Sequence, residues 1–157
     1  MSAHLAAAAW DALEAWAAHN APAEAGGAFV GRAWADACFV PLPSALEGAA
    51  ARHAYDAAPG PLLALLDALD RGGARLLGLG HVHVDLPAVA SREDRAAWLV
   101  DGGPLWPGAA LVVGALSTPR SITSPPGPAV TAARLSALVA YHLVDGALVP
   151  EPLARGA

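Results

Sequence analysis

His81 and His83 stand one residue apart in RLLGLGHVHV, residues 75–84, a Leu-rich run that reads as a mostly buried strand. Side chains alternate along a strand, so both imidazoles leave the same face, in the geometry of a chelate. Asp94 follows eleven residues after His83, in the first turn of an expected helix, from which its carboxylate can swing back toward the strand end. Two histidines and one carboxylate suffice for catalytic zinc, which typically keeps three protein ligands and leaves a fourth position to water, with the water's pKa lowered toward about 7. Such a site holds a nucleophile at neutral pH. Left unpaired on a buried face, the two rings would cost on the order of several kcal/mol, so a metal accounts for them better than packing does.

Asp94 has a second reading. Ser91-Arg92-Glu93-Asp94 fits a capping box, in which Ser91 accepts a helix amide and Asp94 reciprocates from the third helical position. Spacing by itself favours capping. His4, His19 and His53 have no partner at ligand spacing and are expected in solvent.

The elements that position these residues follow from periodicity. Leu5, Ala9, Leu13 and Trp16 share one helical face, giving a helix over 3–18 that stops near Asn20, ahead of Pro22 and Gly26-Gly27. Residues 28–30 and 37–40 read as a hairpin turning at Gly31 and Arg32. Residues 41–60 give no clean period and read as loop, with a short strand near 53–56. Leu62, Leu63, Leu65, Leu66 and Leu69 mark an amphipathic helix ended by Arg71-Gly72-Gly73. After the strand 75–84 come a helix from Ser91 over 92–100, stopped by Asp101-Gly102-Gly103-Pro104, and a buried strand over 109–116. Residues 117–128, with four prolines, read as loop, and 137–144 with 147–149 as a closing hairpin. The class is α/β or α+β around one mixed sheet, and 157 residues make a single domain, 1–157.

Composition excludes several functions. The net charge is −5 and all nine cations are Arg, so no basic face is available for nucleic acid. No uncharged apolar run reaches the roughly 18 to 20 residues of a membrane span. The start of the chain lacks the basic segment of a signal peptide, and one cysteine, Cys38, cannot form an internal disulfide; the expectation is a cytoplasmic protein. Abundant Ala with no Lys or Gln reflects GC-rich codon usage.

His81-Val-His83, seven residues, then Ser91-x-x-Asp94 resembles the HxHx7SxxD signature of the JAMM (MPN+, or JAB) zinc metalloproteases, with the spacing matched throughout. Pro22-Ala-Glu24-Ala-Gly-Gly27-Ala-Phe-Val-Gly31 is similar to the family segment in which a catalytic Glu precedes a glycine-containing strand, and Leu77-Gly78-Leu79-Gly80 to the stretch leading into its histidines. The order of elements agrees over nearly the whole chain. The resemblance implies a JAMM/MPN, cytidine-deaminase-like fold: a mixed curved β-sheet flanked by helices. It further implies that His81, His83 and Asp94 bind one Zn2+, that Glu24 is the general base acting on the attacking water, and that Ser91 donates a hydrogen bond to the oxyanion.

Val82 and Val84 stand where the family often has Ser and Pro, Ala90 replaces its Pro before the serine, Ala25 or Gly26 a frequent cysteine, and Ser44 a loop Asn. None is a proposed ligand, and all five chemical positions are retained, which rejects the metal-free scaffold branch. His81-Val-His83-Val-Asp85 also resembles the HxHxD start of metallo-β-lactamase-type hydrolases, with His142 as a later ligand, but Leu86 replaces that motif's next His. A non-catalytic module that holds a ubiquitin-like protein is the remaining rival; a closed structural zinc site normally wants four protein ligands.

The family resemblance implies cleavage after the C-terminal glycine of a ubiquitin-like protein or its conjugates, in deconjugation or precursor processing, in some members within a bacterial antiviral system, or hydrolysis of a sulfur-carrier protein joined to an amino acid. The substrate tail is expected to add to a sheet edge near Phe29 to Gly31 or in the loop following Ala90. Helix 92–100 and loop 101–108, with Trp98 and Trp106, are expected to border the site. Trp98, Trp10 and Trp16 read as core, and Trp34 as an exposed partner contact.

Overall fold

The computed structural model describes residues 3–101, 103–119 and 133–157. The chain runs β1 (Ala3–Leu5), α1 (Ala7–Asn20), β2 (Ala25–Gly31), a 3-10 turn (Trp34–Asp36), β3 (Cys38–Leu42), α2 (Gly48–Ala51), α3 (Pro59–Gly72), β4 (Arg75–Val84), α4 (Arg92–Trp98), β5 (Leu99–Val100), β6 (Gly103–Pro104), β7 (Ala110–Ser117), β8 (Arg134–Val144) and β9 (Ala147–Arg155). Seven strands make one curved mixed sheet in the order β1-β9-β8-β7-β4-β2-β3, while β5 and β6 pair separately. The mixed α/β class is the expected one. Within the large sheet β4 runs parallel to β7 and antiparallel to β2, so the histidine strand is interior.

Alternation along β4 sorts its side chains between two cores. Val82 joins Leu13, Phe29, Val112, Leu116 and Leu138 beneath α1. His81 and His83 leave the opposite face, where Ala90, Trp98, Leu111, Val113, Tyr141 and Leu148 form a second cluster. α1 buries Ala9, Leu13 and Ala17, one residue per turn of its inward face.

Several expectations change in detail. Residues 3–5 form β1, not helix: they pair in parallel with Leu153 to Arg155, and the helix begins at Ala7. The hairpin is longer than its apolar residues suggested, because Ala25, Gly26 and Gly27 already pair with β4. Residues 53–56 are not a strand; they are turn and irregular chain between α2 and a lone bridge that joins Ser44 to Ala57. α3 ends as expected, with Gly73 left-handed at φ 75°, but none of its residues is buried and Leu63 is 64% exposed, so this helix lies shallow. α4 stops at Trp98, where Leu99 turns into the small β5–β6 pair. The closing hairpin runs from Arg134 to Arg155. Of the expected loop 117–128, residues 120–128 lie outside the described residues.

Trp98 is buried as expected, and Trp10 and Trp16 pack against the first core. Trp34 does not serve as an exposed contact: it is half-buried on that core with its ring edge-on to Phe29. One of the expected tail edges is interior to the sheet. β2 is flanked by β3 and β4, so Phe29 and Val30 present no free ladder, and the chain after Ala90 passes directly into α4 at Ser91. Among the described helices, none is long and apolar enough to cross a membrane.

Candidate metal centre

The sheet brings Glu24 to the histidines through β2. Residues 21–23 turn the chain out of α1, Glu24 N–H donates to Ala51 O at 2.7 Å, and Ala25 then begins the ladder against Val82. Gly26 stands opposite His81, and the close approach there requires glycine: a Cβ would come within 2.1 Å of Gly80 O and 2.8 Å of the Tyr55 ring. The Trp16 indole N–H also donates to Gly26 O at 3.1 Å, tying α1 to the strand that carries Glu24.

Glu24, His81 and His83 are all buried, and each offers one ligand atom within 4.8 Å of the others. Asp94 lies against both rings, with Oδ1 3.0 Å from His81 Nε2 and Oδ2 3.3 Å from His83 Nε2. Glu24 Oε1 is 3.9 Å from His81 Nε2. Yet His81 Nε2 is fully buried and makes no hydrogen bond, although Asp94 Oδ1 lies nearby. An orphaned nitrogen facing two carboxylates and a second imidazole fits the donor set of a zinc ion.

The surroundings prepare these side chains as donors. His83 Nδ1 donates to Pro87 O at 3.0 Å, which puts the proton on Nδ1 and leaves the Nε2 lone pair facing the cluster. Asp94 is held by a complete capping box at the start of α4: Ser91 N–H donates to Asp94 Oδ2 at 2.8 Å, and Asp94 N–H donates to Ser91 Oγ at 3.0 Å. The capping reading is observed, and the cap holds the same carboxylate that lies against the two imidazoles. Accepting from Asp94 N–H uses a lone pair of Ser91 Oγ and leaves its O–H free to donate elsewhere.

Electrostatics drives the two carboxyls apart. Burial pushes Glu24 up; the imidazoles pull it partly back and Asp94 adds to the rise. Asp94 is also penalised by burial, but His81, His83 and the Ser91 N–H outweigh that and hold its carboxyl well below the usual carboxylate range. His83 is raised, first by Asp94 beside it, with burial opposing and Pro87 O assisting. One carboxyl is thus held as an anion and the other is pushed toward keeping a proton.

Other sequence candidates lie elsewhere. His4, His19 and His53 are exposed. His142 pairs with Glu151 at 3.3 Å on the β8–β9 hairpin, and the Asp85 carboxylate accepts from Thr118 N–H at 2.9 Å, so neither belongs to the group of Glu24, His81 and His83. Ser44 Oγ accepts from Leu46 N–H and builds a turn. Trp106 packs into the second core beside Trp98. Sequence reading missed Tyr55, whose ring stacks on His81 at 6.0 Å between centroids while its hydroxyl donates to Leu42 O. It sits in the stretch without periodicity, and an aromatic residue there gave no positional signal.

Residues 6–125 match the model of the prokaryotic homologs of the JAB domain. Among solved structures, the solution structure of protein DSY2949 from Desulfitobacterium hafniense is similar, with a TM-score of 0.63 over 98% of this chain and 92% of that one at 18% identity, a likeness of fold. No curated protein sequence matches the chain.

Proposed function

The chain belongs to the family of prokaryotic homologs of the JAB domain, and from that premise we propose that it is a zinc-dependent isopeptidase or peptidase, cutting the bond after the C-terminal glycine of a ubiquitin-like protein. The observation that carries the reading is the buried group of Glu24, His81 and His83 with Asp94 against both rings and His81 Nε2 left without a hydrogen bond. In this proposal residues 1–157 act as one domain in the cytoplasm, where Cys38 stays a free thiol.

His81, His83 and Asp94 would hold the metal, which when bound supplies a Lewis acid and lowers the pKa of water toward about 7. Glu24 takes the proton of the attacking water as the C–O bond forms at the scissile carbonyl. It returns that proton to the leaving nitrogen as the C–N bond breaks, the two-step use of one carboxyl that a raised pKa favours. Ser91 donates its free O–H to the oxyanion of the tetrahedral intermediate, and its backbone keeps Asp94 in place. Pro87 O fixes the His83 tautomer throughout. With three metal ligands and a separate base, the set suits hydrolysis better than a closed structural site, which would want a fourth protein ligand.

The test uses ubiquitin-like domains, chosen from genes neighbouring this one, each fused through its C-terminal glycine to a second protein. The expected result is cleavage after that glycine, abolished by a chelator, restored by Zn2+ and lost in Glu24→Gln. A sulfur-carrier protein joined to an amino acid is a second substrate arm. Binding of the domains without turnover in the zinc-loaded protein would overturn the enzymatic reading in favour of a binding module.

A further inference from the structure

Seven residues separate His83 from Ser91, and after Val84 ends β4 the segment 85–90 is neither helix nor strand. Leu86 and Val89 are exposed, at 60% and 57%, so apolar packing does not hold those two positions. Ser91 and Asp94 ride on the far end of this segment, and ligand geometry that drifts by about half an ångström is no longer productive. Something must hold the segment in place.

Polar anchors are present along its length. Asp85 N–H donates to Leu116 O, and the Asp85 carboxylate accepts from Thr118, fastening the near end to the end of β7. The far end is held from β8. Tyr141, 4% exposed and paired with Leu111 across the sheet, reaches up with its hydroxyl to donate to Ala88 O at 3.3 Å and accept from Ala90 N–H at 3.1 Å. Both capacities of one hydroxyl are thereby used in opposite senses on two backbone groups. The remaining polar group of Ala90, its carbonyl, accepts from Arg95 Nε at 3.4 Å, and the Arg95 guanidinium lies 5.5 Å over the Tyr141 ring. Arg95 is the residue after Asp94. Tyr141, Ala90 and Arg95 therefore close a triangle around the entry to α4.

We infer that Tyr141 is a positioning residue for the metal centre: its hydroxyl sets the backbone at Ala88 and Ala90, and through it the placement of Ser91 and Asp94. This rests on the reading of His81, His83 and Asp94 as ligands. Tyr141 touches none of the reacting groups in this account and acts only through the segment it holds. The hydroxyl is the part that matters, since the ring already belongs to the second core. Outer partners that orient metal ligands typically change affinity by about 10- to 100-fold when removed.

The test compares Tyr141→Phe, which keeps the ring, with Leu13→Ala, which loosens the core beneath α1. Zn2+ affinity is measured by competition with a chromophoric chelator, alongside thermal stability and amide hydrogen exchange. The expected result for Tyr141→Phe is about a tenfold loss of Zn2+ affinity and faster exchange at Ser91 and Asp94, with α1 amides unchanged; Leu13→Ala lowers the melting temperature and leaves Zn2+ affinity as it was. Arg95→Gln, which releases only the carbonyl side, gives a smaller loss in the same direction and serves should Tyr141→Phe fail to fold. A parent protein that binds Zn2+ with folded variants within twofold of it overturns this inference alone. A parent that takes up no Zn2+ overturns the functional reading as well.

Discussion

Val82 and its two neighbours compare the two faces of the sheet at one point. Val82 is 1% exposed beneath α1, and His81 and His83 are 8% and 7% exposed on the other side. Burial is nearly equal, but the company differs. Val82 meets Leu13, Phe29 and Leu138, all satisfied by contact alone, whereas the imidazoles meet two carboxyls and leave a nitrogen without a hydrogen bond. The first face is complete as folded; the second keeps an unsatisfied nitrogen in a group that could hold a metal ion. Apolar packing and the candidate metal centre thus lie on opposite sides of a single layer of backbone.

If that division holds, substitutions on the two faces fail in different ways. The largest effect is expected for Glu24→Gln, which keeps the shape and removes the proposed base: turnover should fall by about 10²- to 10⁴-fold, with melting temperature and zinc content unchanged. Leu13→Ala should do the converse, costing about 2–5 kcal/mol of stability in denaturant unfolding, while activity of the folded fraction is retained. An activity loss in Leu13→Ala at constant zinc content would break the comparison. Ser91→Ala lies between, since it removes a cap worth about 1 kcal/mol as well as the proposed oxyanion donor; the expected signature is a modest drop in stability with a fall in kcat that exceeds it.

The finest distinction comes from pH. Metal requires neutral imidazole, and in the metal-free protein the His83 pKa is raised above its ordinary value of 6.5 by Asp94. Protons therefore begin to compete with Zn2+ at a higher pH than an unperturbed histidine would allow, and apparent affinity should decline as pH falls through the range just above 6.5. Replacing Asp94 with Asn removes the cause and should shift the proton-competition midpoint downward, even as it weakens binding at every pH. Direct titration of the His83 ring by NMR in the stripped protein checks the sign.

Much of this architecture was legible because local signals and long-range contacts agree. β4 was readable to its ends, since an apolar run bounded by Gly72-Gly73 and Asp85 coincides with a strand buried on both faces. The capping box at Ser91 and Asp94 was readable because both partners lie within one helical turn. What escaped was set by distant residues. Three residues at 3–5 cannot reveal by composition that they will join a strand 150 positions later, and Ala-rich sequence there extends a helix pattern. Tyr141 looked like one more strand aromatic, because its two hydrogen-bond partners lie 51 and 53 residues earlier in the chain. The shallow seat of α3 was equally invisible, for leucine periodicity gives a face but not the depth at which it is buried.

The central claim is that the polar face is a metal site, and calorimetric titration of Zn2+ into chelator-stripped protein tests it most directly. The account predicts one equivalent bound per chain, a higher melting temperature once loaded, and loss of both in His81→Ala. Absence of stoichiometric binding, or binding that survives His81→Ala undiminished, would contradict it.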